Sequence, residues 1–551
     1  MIITTLITLI LASFAFWLAL RYNMHMFQLN SYKTGEQTEW IRKNIHMQWI
    51  LVFAMGFGFA SMLLAMLNSP VVNTICLIIN WLTLATIIAV YRLMVEMSSK
   101  KPLVFTPRVK RMIATIIFLT ILMLAVPIVS GMMRPGGLSE WSLTVINSFM
   151  LWLVGAQLYM NLLANAINKP IELGINNGYI NDAKRILAEN PDLKIIGVTG
   201  SYGKTSVKFY LETLLRAKYN VLVTPESYNT PMGIVKTIRG SLRRSHEIFV
   251  CEMGARYVGE IKEDCDIVHP HHGIITSIGP QHLDTFGSID NIKKTKFELA
   301  DALPEGGILL LNGDNEYIAE YMQYMKDSEG ELTPAYKEPV MYHAGGADAG
   351  YYASDIELTA HGTRFTAHSP DGESCTYDMK LVGEHNIINV MGAIATAHEL
   401  GIALRDLRIP VRRLRSVPHR MEMKNQGAVT IIDDAFNSNP IGSKAAVETL
   451  AMFDGMRILI TPGMVELGAD EDEYNRKFGT YAASCCDYIL LVGGKHTDPI
   501  REGALSEGFP EKKCIGFERV EDAIEYAYGI RTKKNEHKYI LLENDLPDNY
   551  R

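Results

Sequence analysis

Five apolar runs, at 2–20, 49–67, 71–90, 112–129 and 143–163, decide what the first third of this 551-residue chain can become. Each approaches the roughly twenty residues that carry a helix across a hydrocarbon core. A soluble helical domain would show polar faces, and these runs carry almost no charge, which argues for membrane spans. A cleaved signal peptide would explain only the first run, and neither the basic start nor the small-residue cleavage site it needs is evident.

The loops between the runs orient them. Segment 21–47 carries Arg21, Lys33, Arg42 and Lys43, and segment 92–111 carries Arg92, Lys100, Lys101, Arg108, Lys110 and Arg111. The 68–70 loop has no basic residue and the 131–140 loop only Arg134. The excess of positive charge marks the first two loops as cytoplasmic. Five crossings then place the N-terminus outside and everything after Lys169 in the cytosol. Asn147, Gln157, Asn161 and Asn165 interrupt the fifth run, so an interfacial helix is the alternative there; the nucleotide loop described next needs cytosolic ATP and favours a span.

Beyond the spans the chain is too long for one core, and two or three domains are expected in all. The first 168 residues hold eleven basic against four acidic side chains, yet the whole chain is at −7, so the soluble part is strongly acidic. That balance excludes general nucleic-acid binding. Seven cysteines contain no Cys-x-x-Cys pair, and neither a zinc ribbon nor a disulfide framework is indicated.

Residues 197–206 read Gly-Val-Thr-Gly-Ser-Tyr-Gly-Lys-Thr-Ser, between an apolar strand at 193–198 and helical periodicity at 207–217. Strand, Gly-rich turn and helix start make a phosphate cradle. The amides of Gly200, Ser201, Tyr202, Gly203 and Ser206 can turn inward, Lys204 supplies a point charge, and Thr205 offers a hydroxyl to magnesium. The literal nucleotide-loop spacing would need glycine at 198, where Val198 stands.

Upstream, 170–190 reads as a short linker and an amphipathic helix. Downstream, 224–233 reads equally as a substrate loop or an ordinary turn. The strand at 248–251 delivers Glu252 to the edge of a parallel sheet, where a carboxylate can hold magnesium. A strand at 273–277 leads to His282, for which a structural role and a metal or phosphate role are both open. His269, His271 and His272 cluster in a loop that solvation explains better than metal. The helix at 288–303 carries Lys296, which spacing alone does not single out, and 316–377 reads as irregular and strand-rich.

Several elements in one order resemble the Mur ligase family, ATP-dependent amide ligases that add amino acids to cell-wall precursors. The resembling stretches are 197–206, Glu252-Met253-Gly254-Ala255, His282 to Ser288, Lys296-Phe297-Glu298, Leu311 to Asp314, Gly383 to Asn389, His419-Arg420, Ile432 to Pro440 and Gly463 to Gly468. Within the family the pattern is nearest the branch that adds D-alanyl-D-alanine. The resemblance implies that Lys204 and the loop bind ATP, that Thr205 and Glu252 hold Mg2+, that His282 helps with a second ion, and that Lys296 is carbamylated and metal-binding. It also implies adenine contact at Asn386 and ribose or phosphate contact at Arg420 and Asp434. The implied partners are ATP, a carboxylate acceptor that is UDP-linked or lipid-linked, an amino-acid or dipeptide amine, and membrane lipid, with no nucleic acid.

Departures accompany the match. Five spans stand where family members carry a soluble UDP-gripping domain. Pro462-Gly463-Met464, His419 and the ending Glu543-Asn544-Asp545-Leu546-Pro547 differ from the nearest branch, so the amine does not carry over. The expected fold is α/β, with transmembrane helices to 168, a central parallel-sheet ATPase domain over 169–415 and a Rossmann-like domain over 416–551. The leading function is a membrane-anchored ligase forming an amide through an acyl phosphate; the alternatives are a ligase for a polyglutamate-like polymer and a nucleotide-driven transporter.

Overall fold

The structure, a computed structural model, describes residues 2–96, 102–134, 138–327, 336, 338–346, 350–436, 438–534 and 536–545. Lys100, Lys101, Asn437, Leu546 and Pro547, which enter the sequence reading, lie outside them. The chain divides into two compact units, one up to Asn177 and one from Gly178 onward.

The first unit is helical: Ile2–Leu29, Thr34–Lys43, Trp49–Leu64, Pro70–Glu96, Pro107–Met132 and the start of Glu140–Ala188. Five of its helices are long and apolar enough to cross a membrane. Apolar side chains lie on both sides of the packing seam. Leu6, Ile10, Phe59, Leu82, Phe118 and Val126 face outward, while Ala15, Ala19, Leu51, Ala54, Leu84 and Leu151 are buried. In a membrane, where water does not drive helices together, association relies on close approach and hydrogen bonds. Both are present. A Cβ on Gly155 would lie 2.5 Å from the Leu51 carbonyl, and one on Gly58 would lie 2.7 Å from the Trp152 nitrogen. Asn23 donates to Gln157 at 2.9 Å, Ser61 pairs with Ser148 at 2.7 Å, and Trp81 donates to Thr8 at 2.8 Å.

The linker expected around 170 does not form. The helix Glu140–Ala188 runs unbroken through Pro170, which removes one backbone hydrogen bond. Side-chain contacts on both sides of the proline hold it: Asn168 donates to Thr115 at 2.9 Å, and Arg111 grips Glu172 with bonds of 2.8 and 2.9 Å.

The second unit contains two six-stranded sheets. The first is wholly parallel, in the order β2-β3-β1-β4-β5-β6, from β1 (Lys194–Thr199), β2 (Val221–Val223), β3 (Ile248–Glu252), β4 (His272–Ile275), β5 (Leu309–Asn312) and β6 (Val340–Tyr342). Both faces are covered, which explains the continuous apolar strands. Ile196, Val198 and Val250 pack with the helices Lys204–Leu215 and Glu384–Glu399, while Ile195, Phe249 and Cys251 pack with Pro231–Ser241 and Ile289–Asp301. A small antiparallel sheet, β7 (Tyr352–Thr359), β8 (Gly362–His368) and β9 (Ser374–Met379), sits on the first of these cores. Residues Glu316–Asp327, expected to be irregular, form a helix; Ile318 and Met322, four apart, give it a buried stripe.

The second sheet has the order β10-β11-β15-β12-β13-β14, from β10 (Glu422–Gln426), β11 (Val429–Asp434), β12 (Met456–Thr461), β13 (Tyr488–Val492), β14 (Cys514–Phe517) and β15 (Lys538–Glu543). Only β10 runs antiparallel. The strands β11, β12 and β15 therefore end together, at Asp434, Thr461 and Glu543.

The close helix crossing in the first unit makes a test. Gly155→Leu places a side chain where backbone already lies, and should destabilise the detergent-solubilised protein by roughly 2 kcal/mol, read as a lower unfolding midpoint. An unchanged midpoint would contradict the packing described.

Candidate functional site

The loop after β1 is shaped by two glycines. Gly200 has φ 150° and a Cβ there would lie 2.2 Å from the Thr276 hydroxyl; Gly203 has φ 80° and a Cβ would meet Asn389 at 2.4 Å. Only glycine fits such positions. Val198, at the place where the usual spacing asks for glycine, is a fully buried strand residue. The loop is tied to β4: the Ser201 nitrogen donates to Ser277 at 2.7 Å, and Tyr202 donates its hydroxyl to Pro280 at 2.7 Å.

The helix starting at Lys204 then presents three side chains to one place. The Lys204 ammonium bonds the loop carbonyls of Gly200 and Ser201, at 2.6 and 3.0 Å. Burial lowers it to about 8, against the pull of Glu252. Thr205 donates to Glu252 at 3.0 Å. One turn on, the Lys208 ammonium lies 3.0 Å from the other Glu252 oxygen, with neither side chain more than 1% exposed. Asn229 adds a bond at 3.1 Å, and the Glu252 nitrogen donates to Thr224 at 3.1 Å, so the 224–233 segment belongs to the site. Burial pushes the Glu252 carboxyl up, yet Lys208 and Lys204 together hold it below its ordinary value.

The second sheet supplies Arg420, 3.4 Å from the Thr205 hydroxyl and over the Phe436 ring at 4.6 Å. Asp434 accepts from the Met421 nitrogen at 3.1 Å, and burial raises it to about 6. Asn386 is held by Tyr210 at 2.8 Å and donates to the Val382 carbonyl at 2.8 Å. A cavity of about 330 Å³ is lined by Tyr202, Ser206, Asn386, Arg420, Asp434 and Glu543, among others.

His282 sits to one side. Its Nδ1 bonds the Glu466 carboxylate, whose other oxygen pairs with Arg256. Burial pushes Glu466 up, but His282 and Arg256 prevail and bring it down to about 2. Burial lowers His282 despite that partner. The same contact carries backbone bonds: the Leu283 nitrogen to the Glu466 carbonyl at 3.1 Å, and the Gly468 nitrogen to Asp284 at 3.1 Å. Lys296 is 2% exposed, 5.8 Å from the Phe286 ring centre, and lowered by burial, then by Lys204, to about 7. The Lys204 charge thus reaches both His282 and Lys296.

The sequence reading did not single out Lys208, Asn229 or Arg256. Lys208 had a legible signal, being four residues from Lys204 on one helix face. Arg256 and Glu466 meet only through tertiary structure. The histidine cluster is structural: His271 Nδ1 accepts from the Ile195 nitrogen at 3.1 Å, and His272 Nδ1 from the Ile308 nitrogen at 3.2 Å. His419, Glu422 and Asp433 are close enough to hold a metal ion, but Lys424 already pairs with two of them, 2.6 Å from Asp433 and 3.2 Å from Glu422.

Two tests follow from the charges. Lys208→Met leaves Glu252 as an uncompensated buried carboxylate and should cost about 3–5 kcal/mol, most of it regained in Lys208→Met/Glu252→Gln. Glu466, depressed in the fold from an ordinary 4.5, contributes stability above pH 4.5 that is lost as pH falls toward about 2. Acid titration of Glu466→Gln should lack that share of the loss, and identical titrations of parent and variant would contradict the pairing.

Residues 198–397 match the family model for the Mur ligase middle domain, and 419–542 the model for the Mur ligase glutamate ligase domain. The UDP-N-acetylmuramoyl-tripeptide–D-alanyl-D-alanine ligase of Escherichia coli (strain K12) is 27% identical over 361 residues, covering 63% of this chain and 77% of that one. The ligase of the same name from Buchnera aphidicola is 30% identical over 324 residues, 58% of this chain and 69% of its own. Among solved structures, MurF from Acinetobacter baumannii aligns with TM-score 0.59 at 25% identity, over 68% of this chain and 78% of that one. MurF from Thermotoga maritima, solved with ADP, shares the fold with TM-score 0.57 at 22% identity, over 67% of this chain and 80% of its own. The five apolar helices precede both family-model matches.

Proposed function

The chain belongs to the Mur ligase family, and from that premise we propose a membrane-anchored, ATP-dependent ligase that joins a carboxylate of a peptidoglycan precursor to an incoming amine. The relatives named above act on a UDP-N-acetylmuramoyl tripeptide and D-alanyl-D-alanine, and these are the substrates to assign first. The observation that carries the reading is the buried cluster of Lys204, Thr205, Lys208 and Glu252 beside a cavity shared by both sheets.

In this reading Lys204 and the amides of Gly200 to Ser206 hold the ATP phosphates, Asn386 contacts the adenine, and Arg420 and Asp434 contact the ribose or phosphates. Thr205 and Glu252 fit Mg2+: a hydroxyl beside a carboxylate kept ionised by Lys208 is a hard oxygen donor set. When bound, the ion neutralises charge on the transferring phosphoryl group. Lys296 fits carbamylation, because an amine held near 7 is substantially unprotonated at neutral pH and can add to carbon dioxide. Its carbamate, with His282, would be the donor set for a second ion.

The acceptor carboxylate takes the γ-phosphoryl group, giving an acyl phosphate and ADP. The amine then forms the C–N bond as phosphate leaves. Arg420 spans the two domains at the phosphate end, and the cavity walls keep water from the activated acyl group. The spans, with their basic loops on the cytosolic side, support an orientation with the N-terminus outside and the ligase in the cytosol. Anchoring also suits a lipid-linked acceptor.

Phosphate release should require acceptor and amine together, and Lys204→Ala should lower it at least about a thousandfold. Substrate-independent hydrolysis coupled to vesicle uptake would favour a transporter instead. Lys296→Ala should be inactive, and depleting bicarbonate should lower the parent's rate; full activity of the alanine variant would remove the carbamate from the scheme.

A further inference from the structure

Glu543, at the end of β15, is a buried carboxylate that the scheme above leaves unused. It is 1% exposed, and the described groups that bear on it are two hydroxyls and another acid. Its hydrogen-bond partners are two neutral hydroxyls: Thr461, donating at 2.7 Å from the end of β12, and Ser438, from the loop after β11. The charge felt at Glu543 is that of Asp434, its register partner on β11. Both acids line the cavity that also contains Tyr202, Ser206 and Arg420.

A carboxylate so placed attracts a cation brought by a ligand, and the ligase reaction requires one. The amine of an amino acid or dipeptide arrives as an ammonium ion and cannot attack until it loses a proton. Resting on the ligase reading, we propose that Glu543 receives the incoming ammonium group and removes its first proton. The nitrogen lone pair then attacks the acyl carbon, the C–N bond forms, and the C–O bond to phosphate breaks with its electron pair on phosphate. The second nitrogen proton leaves with the phosphate, and the proton on Glu543 returns to solvent.

The environment suits the role. Burial, reinforced by Asp434 and opposed by the two hydroxyls, raises Glu543 to about 7, so it accepts a proton at neutral pH and is fully ionised only above that.

The test uses the full-length protein in detergent with ATP, UDP-N-acetylmuramoyl tripeptide and one of two nucleophiles, D-alanyl-D-alanine or hydroxylamine, with products read by mass. Hydroxylamine is mostly uncharged at neutral pH and needs no first deprotonation. Glu543→Gln keeps the size and the acceptor for Thr461. It should lower kcat with D-alanyl-D-alanine about a hundredfold, raise the KM for that amine, and lose the rise in rate through pH 7, while hydroxylamine loses less than about threefold. Glu543→Asp should keep the pH-dependent rise. Equal losses on both nucleophiles, or an unchanged rate with D-alanyl-D-alanine, would overturn the assignment. A parent that releases no phosphate with tripeptide and either nucleophile would instead overturn the ligase reading beneath it.

Discussion

The second unit is arranged around one ionised carboxylate out of reach of water. Glu252 lies at the end of β3, inside a parallel sheet covered on both faces, where an isolated carboxylate would neutralise itself rather than stay charged. Lys208 prevents this from one carboxylate oxygen, while Thr205 and Asn229 both donate to the other. The three partners come from two elements. The helix after β1 brings the lysine and threonine, and the loop after β2 brings the asparagine. Satisfying one charge therefore fixes the order of three segments at the sheet edge, and the phosphate loop is held between them. Pairs of this kind add little net stability but penalise any arrangement that breaks them.

The domain contact uses the same device with a different outcome. Glu466 is gripped by Arg256 and His282 from the first sheet's domain, and backbone bonds on either side reinforce it. Arg256 is 42% exposed, so this pair is partly wet, whereas the Lys208–Glu252 pair is dry. The contact that joins domains is thus the more easily exchanged, and the one beside the Gly-rich loop is the more permanent. Such a division suits an enzyme that must open for substrates and close over an intermediate.

Much of this was legible in the sequence because local rules dominate there. The apolar runs, the phosphate loop and the strand ending at Glu252 follow from periodicity and turn chemistry, and all appear where expected. What escaped the reading depends on distance in the chain. Glu466 and Arg256 are 210 residues apart and nothing local marks either. The helix through Pro170 formed against a local signal because Arg111 and Thr115, from another helix, hold both sides of the proline. His271 and His272 read as part of a solvated loop because spacing records proximity but not direction; their Nδ1 atoms are turned onto backbone amides.

Lys204 bonds two carbonyls of its own loop, which limits what it offers a phosphate in the proposed complex. Two of the three ammonium N–H groups are on those carbonyls, so in the proposed complex Lys204 gives a phosphate one bond, and each further one costs a loop carbonyl. The loop consequently discriminates by number of contacts. A lone sulfate or phosphate gains one ammonium bond, whereas a polyphosphate engages the amides of the turn at the same time. Inhibitors that offer a single anionic group to this loop start at a disadvantage, and those that span the turn do not.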